Sequence, residues 1–304
     1  MSFDKTSPSR PIERIYALQI FPPKVLSMNT DGSDCHALIH NIGGNPDGIT
    51  ADLTRGHIYW TNMGNKFNQA DGFIERSDLN GSNRVIIIPK GSTFTPKQIE
   101  YDSVSDRLYW CDREGMRVMS SDRDGKDIRT LIQTGQGNKD RENKNLHCVG
   151  IAIDSLHGYL YWTQKGPSNG NSGRILRAKL VPPDNNVPLH RKDITVLLDN
   201  LPEPIDLLLS PDKNKLYWTD RGRPPKGNTL NVADIVNDQL ADHQILIHSL
   251  KEGIGVCSNS NWTDLYVSDL VLGHIRRYDI EKAEPRTIHQ GWPITGMVCI
   301  PKPE

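Results

Sequence analysis

The chain is expected to be all-β: a six-bladed β-propeller of four-stranded blades, closed by pairing of its N- and C-terminal strands. Three observations predict this. A short aromatic motif recurs at near-constant spacing, each copy is flanked by strand and turn signals enough for one blade, and the two chain ends supply complementary parts of an incomplete blade. The motif is clearest at Leu216-Tyr217-Trp218-Thr219-Asp220. It recurs as Ile58-Tyr59-Trp60-Thr61-Asn62, Leu108-Tyr109-Trp110-Cys111-Asp112, Leu160-Tyr161-Trp162-Thr163-Gln164 and Leu265-Tyr266-Val267-Ser268-Asp269, with a fainter copy at Ile15-Tyr16-Ala17-Leu18. Successive tyrosines are 43, 50, 52, 56 and 49 residues apart. A β-rich repeat of about 50 residues is a mark of propeller blades.

Taken in order, residues 1–13 read as a loose leader and 14–304 as a single propeller domain. Segments 15–19, 25–29 and 36–42 supply three strands, one short of a blade. Segment 295–300 supplies the fourth, and closing the ring this way removes exposed sheet edges. The second and third blades open at Asp47 and Lys97. In each, an apolar strand leads into the motif, and two alternating strands follow around Asn80-Gly81 or Asp124-Gly125. Both dipeptides tolerate positive φ and mark hairpins. Segment 133–145 is polar, has no apolar period and reads as a loop; further inserts lie at 165–173, 182–188 and 221–227. The inserts at 62–72, 133–146, 165–173 and 221–227 follow a blade's second strand or precede the next blade's first. They therefore emerge on one face, around the mouth of the central channel, where a ligand is expected.

Lysine and arginine number 36 against 37 aspartate and glutamate. That balance, with no basic stripe, argues against a nucleic-acid partner. No apolar run reaches the roughly 20 residues of a membrane helix, and the first residues lack the apolar core of a secretory signal. The five cysteines, Cys35, Cys111, Cys148, Cys257 and Cys299, are odd in number and show no paired spacing. Reduced thiols and a cytoplasmic setting are expected from this. The sequence does not specify an oligomeric state.

Six segments converge on the axis where the innermost strands begin. Aligned on the motif, they present Asn45 and Asp47, Thr95 and Lys97, His147 and Cys148, Glu203 and Asp206, Lys251 and Glu252, and Trp292 with Thr295. A hydrated channel of mutually satisfied polar groups accounts for any one of them as well as a functional role does. Gly-x-Ser-x-Gly, His-Glu-x-x-His, Walker and dinucleotide patterns are absent, so no cofactor is expected. His147 and Cys148 are strand neighbours that point to opposite faces, which disfavours a nucleophilic dyad. Asp47, Glu203, Asp206 and Glu252 offer oxygen atoms suited to Ca²⁺ or Mg²⁺. Lys97 and Lys251 offset that charge, and no metal is expected.

The repeats resemble the six-bladed propellers of the Tyr-Trp-Thr-Asp family, known from low-density-lipoprotein receptors, over nearly the whole chain. The resemblance implies structural roles, bridging strands and blades, for Tyr59, Trp60, Tyr109, Trp110, Asp112, Tyr161, Trp162, Tyr217, Trp218, Asp220, Tyr266 and Asp269. It also implies looser bridging at Asn62, Gln164 and Val267. As a free-standing chain of this size without a secretion signal, it is similar to the fungal hetero-Diels-Alderases of tropolone sesquiterpenoid biosynthesis. This second resemblance implies a cofactor-independent pericyclase that joins a tropolone quinone methide to a humulene-type terpene by intermolecular [4+2] addition. Its partners would be small apolar molecules, a polyketide-derived tropolone and a sesquiterpene. On that expectation Lys97, His147, Arg221 and Arg223 are the catalytic donors, with His147 also assisting loss of water. Asn45, Asp47, Thr95, Glu203, Asp206, Glu252, Trp292 and Thr295 would bind substrate, Trp292 as an apolar wall. Two other readings stand beside it: a protein-binding module with a flat aromatic and charged face, and a metal-dependent lactonase or hydrolase.

Overall fold

The computed structural model describes residues 12–183 and 187–302, so most of the expected 1–13 leader and the centre of the 182–188 insert lie outside the described residues. Six four-stranded antiparallel sheets form the ring, and successive innermost strands touch around it. The first blade combines Ile294–Pro301, innermost, with Glu13–Gln19, Lys24–Asn29 and His36–His40. Tyr16 pairs with Val298 and Glu13 with Pro301, so the two chain ends close the ring as expected. Glu13, assigned by sequence to the leader, belongs to this sheet: it is buried, and its carboxylate accepts the Ser260 amide at 2.8 Å.

The second blade comprises Pro46–Asp52, His57–Asn62, Gly72–Asp78 and Val85–Thr93. The third comprises Pro96–Asp102, Arg107–Asp112, Arg117–Asp122 and Arg129–Gln133. The fourth comprises Cys148–Asp154, Tyr159–Gln164, Gly173–Lys179 and Thr195–Leu201. The fifth comprises Pro204–Leu209, Lys215–Asp220, Thr229–Val236 and Gln239–Ile247. The sixth comprises Gly253–Ser258, Asp264–Asp269, His274–Asp279 and Glu284–Gln290. Segment 133–145 is not wholly a loop. It holds a short helix, Gly137–Glu142, followed by a 3₁₀ turn, Lys144–Leu146, both too short for an apolar period to reveal.

The motif strand is second in every blade, and its residues divide the work of holding the ring. Trp60, Trp110, Trp162 and Trp218 are fully buried between sheets. Trp162, for example, packs with Ile151 and Leu176 of its own blade and with Tyr109 and Val118 of the third. The motif hydroxyl reaches across to the next blade. Thr61 Oγ1 donates to the Lys97 carbonyl at 2.7 Å, Thr163 to that of Ile205 at 2.9 Å and Thr219 to that of Ile254 at 2.7 Å. Cys111 Sγ makes the same link to Gly150 O at 3.2 Å, and Ser268 links to Thr295 O. The first blade has Leu18 at this position. There Thr295 Oγ1 donates to the Pro46 carbonyl instead, at 3.1 Å, so Thr295 is a ring clasp and not the substrate-binding residue expected.

The motif's last residue holds the loop that leads into its own blade. Asp112 accepts the amides of Phe94 at 3.0 Å and Thr95 at 2.9 Å, together with Arg117 Nε at 3.0 Å. Asp220 accepts the Glu203 amide and Asp269 the Lys251 amide, each at 2.6 Å. Asn62 does not loosen this bridge. Its Oδ1 accepts the Asn45 amide at 3.1 Å, and its Nδ2 donates to the Gly43 carbonyl at 2.8 Å, because an amide both donates and accepts.

Deeper in the ring a cavity of about 160 Å³ is lined by Glu100, Asp206 and Lys213, with Thr50, Gln98 and mostly apolar residues around them. Asp206 accepts the amides of Val256 at 3.0 Å and Leu207 at 2.9 Å, and Glu100 accepts that of Ile153 at 2.9 Å. Burial pushes Asp206 up to about 8 and Glu100 up to about 7.

Two outcomes are expected. Asp112→Ala leaves two amides and Arg117 without their buried partner and should cost about 3–5 kcal/mol in a urea titration. For Asp206, the native state holds a proton that the unfolded chain releases above about pH 4, so stability should fall as pH rises from there through about 8. Asp206→Asn should flatten that decline in thermal melts taken across the range; an unchanged slope would show that Asp206 is already ionised when folded.

Candidate functional site

The loops on the mouth face form a cleft of two adjoining cavities, about 480 and 360 Å³, that share Phe67, Glu114 and Lys144. The motif strands aim part of its wall. Arg113 and Glu114 follow Asp112 directly, Lys165 follows Gln164 and Arg221 follows Asp220. The 134–147 connection adds Arg141, Glu142, Lys144 and His147, and the 62–72 connection adds Phe67. Phe67 is 41% exposed, with the Arg113 guanidinium 5.2 Å from its ring centre. Arg141 lies 4.1 Å over Phe94 and donates from Nε to the Glu114 carbonyl at 2.8 Å, which ties the short helix to the third blade.

Beneath the cleft, ion pairs ring the channel mouth. Arg221 bridges Glu203 and Glu252, the latter at 3.2 Å, and Lys165 Nζ reaches Glu203 at 2.8 Å. Lys97 pairs with Asp47, whose other oxygen accepts Gln98 Nε2 at 3.1 Å. Burial lowers Lys97 to about 8, although Asp47 opposes the shift. Thr95 donates to Glu114.

The structure thus gathers Asp47, Thr95, Lys97, His147, Glu203, Arg221 and Glu252 at or just below the cleft. Other expected site residues lie elsewhere. Asn45 spends its side chain on the Gly64 carbonyl at 2.8 Å. Asp206 sits in the deeper cavity. Trp292 is 55% exposed and packs edge-on against Phe21, centroids 5.6 Å apart; it lines neither cavity of the cleft. Arg223 is exposed, and its side chain makes no hydrogen bond or ion pair among the described residues. Cys148 is buried, which pushes its thiol up to about 12, the wrong direction for a nucleophile.

Phe67, Arg113, Glu114, Lys144 and Lys165 were not singled out by sequence. A signal for some of them was present: in the third, fourth and fifth blades a cation follows the motif immediately. Among the described residues no three His, Cys, Asp or Glu side chains converge as a metal-ligand set. The carboxylates of Asp47 and Glu203 are already engaged by cationic side chains. No helix among the described residues is long and apolar enough to cross a membrane.

No family model matches the chain. It is 41% identical over 276 residues to a Pyricularia oryzae protein named low-density lipoprotein receptor-related protein 1, covering 87% of this chain and 88% of that one. It is 37% identical over 236 residues to 3-hydroxyacyl-CoA dehydrogenase-like protein LAM1 of Cochliobolus heterostrophus, covering 74% of this chain but only 50% of that protein. Among solved structures, a chain of a nidogen/laminin complex superposes with a TM-score of 0.72 at 20% identity, over 94% of this chain and 98% of that one. A gluconolactonase from Xanthomonas campestris superposes with a TM-score of 0.63 at 14% identity, over 97% of this chain and 91% of that one. These two likenesses show the fold. The fold, the repeated motif and the relative matched over almost its full length agree, and the chain belongs to the low-density-lipoprotein-receptor-related family of β-propellers.

Proposed function

We propose that the mouth-face cleft is the active site of a cofactor-independent cyclase that binds an acidic, oxygenated ring and joins it to an alkene by hetero-Diels-Alder [4+2] addition. The observation that carries this reading is the composition of the wall: Arg113, Arg141, Lys144, Lys165 and Arg221 against Glu114 and Glu142, around one exposed phenyl ring. A tropolone suits such a wall. Its enol oxygens are acidic and meet the cations, while its planar ring lies on Phe67. Charge that develops on those oxygens as the quinone methide forms and adds is stabilised by donors already in place. Holding the diene against a humulene-type alkene supplies the remaining advantage, through orientation. Two adjoining cavities within the usual size of ligand sites suit two reactants. Phe67 takes the wall role expected of Trp292. Lys165, Arg221 and His147 serve the site, and Lys97 supports the mouth through Asp47. The five cysteines form no disulfide, which suits the cytoplasmic setting such chemistry would have.

One observation favours a second reading, a protein-binding module. Phe21 and Trp292 are 63% and 55% exposed and pack on each other, the kind of aromatic pair that anchors interfaces.

The two readings part on three substitutions, assayed with a hydroxylated tropolone and humulene. Under the enzyme reading Phe67→Ala should degrade product stereochemistry. Lys144→Met, at an exposed side chain that makes no hydrogen bond or ion pair among the described residues, should lower the rate by about 10- to 100-fold, less than the loss at an oxyanion hole. Trp292→Ala should change neither. If the Phe67 and Lys144 variants match the wild type in rate and enantiomeric composition, the cleft is not the active site.

A further inference from the structure

Glu114 is the carboxylate shared by both halves of the cleft, and it is 8% exposed. Arg113 Nε donates to its two oxygens at 2.8 and 2.7 Å, and the Thr95 hydroxyl donates to Oε2. Oε1 stands 3.9 Å from Nδ1 of His147, whose side chain is 1% exposed. The other ring nitrogen of His147, Nε2, lies 2.9 Å from the Arg141 carbonyl. A carbonyl oxygen only accepts, so Nε2 carries the hydrogen and Nδ1 of the neutral ring carries a lone pair. Nδ1 is buried and has no hydrogen-bond partner among the described residues. Two acceptors therefore stand 3.9 Å apart at the edge of the cleft, and the Nδ1 lone pair, shut off from solvent, costs free energy until a proton reaches it.

We propose that Glu114 and His147 form a proton-accepting dyad, in which Glu114 takes the proton of an acidic hydroxyl bound in the cleft and His147 Nδ1 draws it off. This deepens the reading of the cleft as an enzyme site and rests on it. The substrate O–H bond breaks and its electron pair stays on oxygen, which becomes an enolate facing the cations. The proton passes through Glu114 Oε1 to form Nδ1–H, so the substrate goes from neutral to −1 and the dyad from −1 to neutral. When a hydroxyl then leaves the neighbouring carbon of the substrate, the same proton returns through Glu114 and departs with it as water. No oxidant, reductant or further reactant is needed. Glu114 is the catalytic residue; His147 acts through it.

The resting charges agree with this. Burial opposes ionisation of Glu114, but Arg113 and the hydrogen bonds outweigh it and hold the carboxyl below its usual range. Burial also lowers His147, offset in part by the Arg141 carbonyl and Glu114, while Lys144 and Arg113 lower it further. The histidine is neutral and the glutamate ionised until the proton arrives.

The test begins with ¹⁵N NMR of the full chain without ligand. His147 should be the Nε2–H tautomer, and Glu114→Gln should make its imidazole harder to protonate. The opposite tautomer, or the same titration midpoint in both proteins, overturns the dyad. Tropolone is then added at a pH where the free compound is mostly protonated; its anion is followed by absorbance and His147 Nδ1 by its ¹⁵N shift. Bound anion together with protonated Nδ1 supports the proposal. Bound anion with Nδ1 unchanged overturns it and assigns the deprotonation to the cations alone. If tropolone does not bind, the cyclase reading fails, and the dyad's part in that reaction fails with it. His147→Gln keeps a donor for the Arg141 carbonyl but lacks the Nδ1 lone pair. It should bind tropolone with a smaller anion fraction and turn over about 10²-fold more slowly, with KM little changed. An equal loss of fold stability and activity without a change in anion fraction would mark a structural role only.

Discussion

The ring depends on one recurring interaction, the motif hydroxyl that donates to a carbonyl of the next blade's innermost strand. Because the group is a hydroxyl, it also accepts: Gly48, Gly150 and Gly255 give their amides to Thr61, Thr163 and Ser268 at 2.8, 2.7 and 2.8 Å. Each such oxygen therefore joins two neighbouring innermost strands away from any ladder. The strands run so close that a Cβ on Gly150 would lie 2.0 Å from the Ile205 carbonyl. Buried backbone groups at this range must be paired or they destabilise the fold. The clasp satisfies them and sets the blade-to-blade distance at once.

That same geometry makes the structural residues into positioning residues. Asp112 fixes the amides of Phe94 and Thr95, and Thr95 in turn holds Glu114. Asp220 fixes the amide of Glu203, on which Lys165 and Arg221 converge. The part of the site built from Arg113, Glu114, Lys165 and Arg221, one or two residues beyond a rigid strand, needs little loop order of its own. The charges are balanced pairwise at the channel mouth and shift toward positive only in the outer wall, where a ligand would arrive. Desolvated pairs such as Lys97 with Asp47 contribute more to fixed geometry than to net stability.

The blades were legible because a propeller repeats its chemistry: tyrosine, tryptophan, hydroxyl and acid return in phase, and the incomplete first blade announces its missing strand. The entries of the innermost strands were legible for the same reason, and Asp47, Lys97, His147 and Glu203 stand at those entries, as alignment on the motif expects. Phe67, Glu114 and Lys144 were not, since the turns that carry them differ in length from blade to blade and nothing in phase marks them. Thr295 was misread because its polarity suggested a ligand contact, whereas it replaces the hydroxyl missing at Leu18. Trp292 was misread because exposure depends on which blade stands beside it. The motif threonine was given no role by sequence, although it is the residue that reaches the next blade.

The shared first blade also sets the order in which the molecule can be made. Its three outer strands are synthesised before the other blades, and their inner partner follows nearly three hundred residues later, since Tyr16 pairs with Val298. During that interval the open edge of Glu13–Gln19 has no native partner, although the second blade can already cover Tyr16 and Leu18. Pairing of such distant segments is slow, and an unpaired edge attracts other chains. For a nascent chain the hazard is concentrated at one seam, and a cell that makes this protein has most reason to shield it there until the last strand arrives.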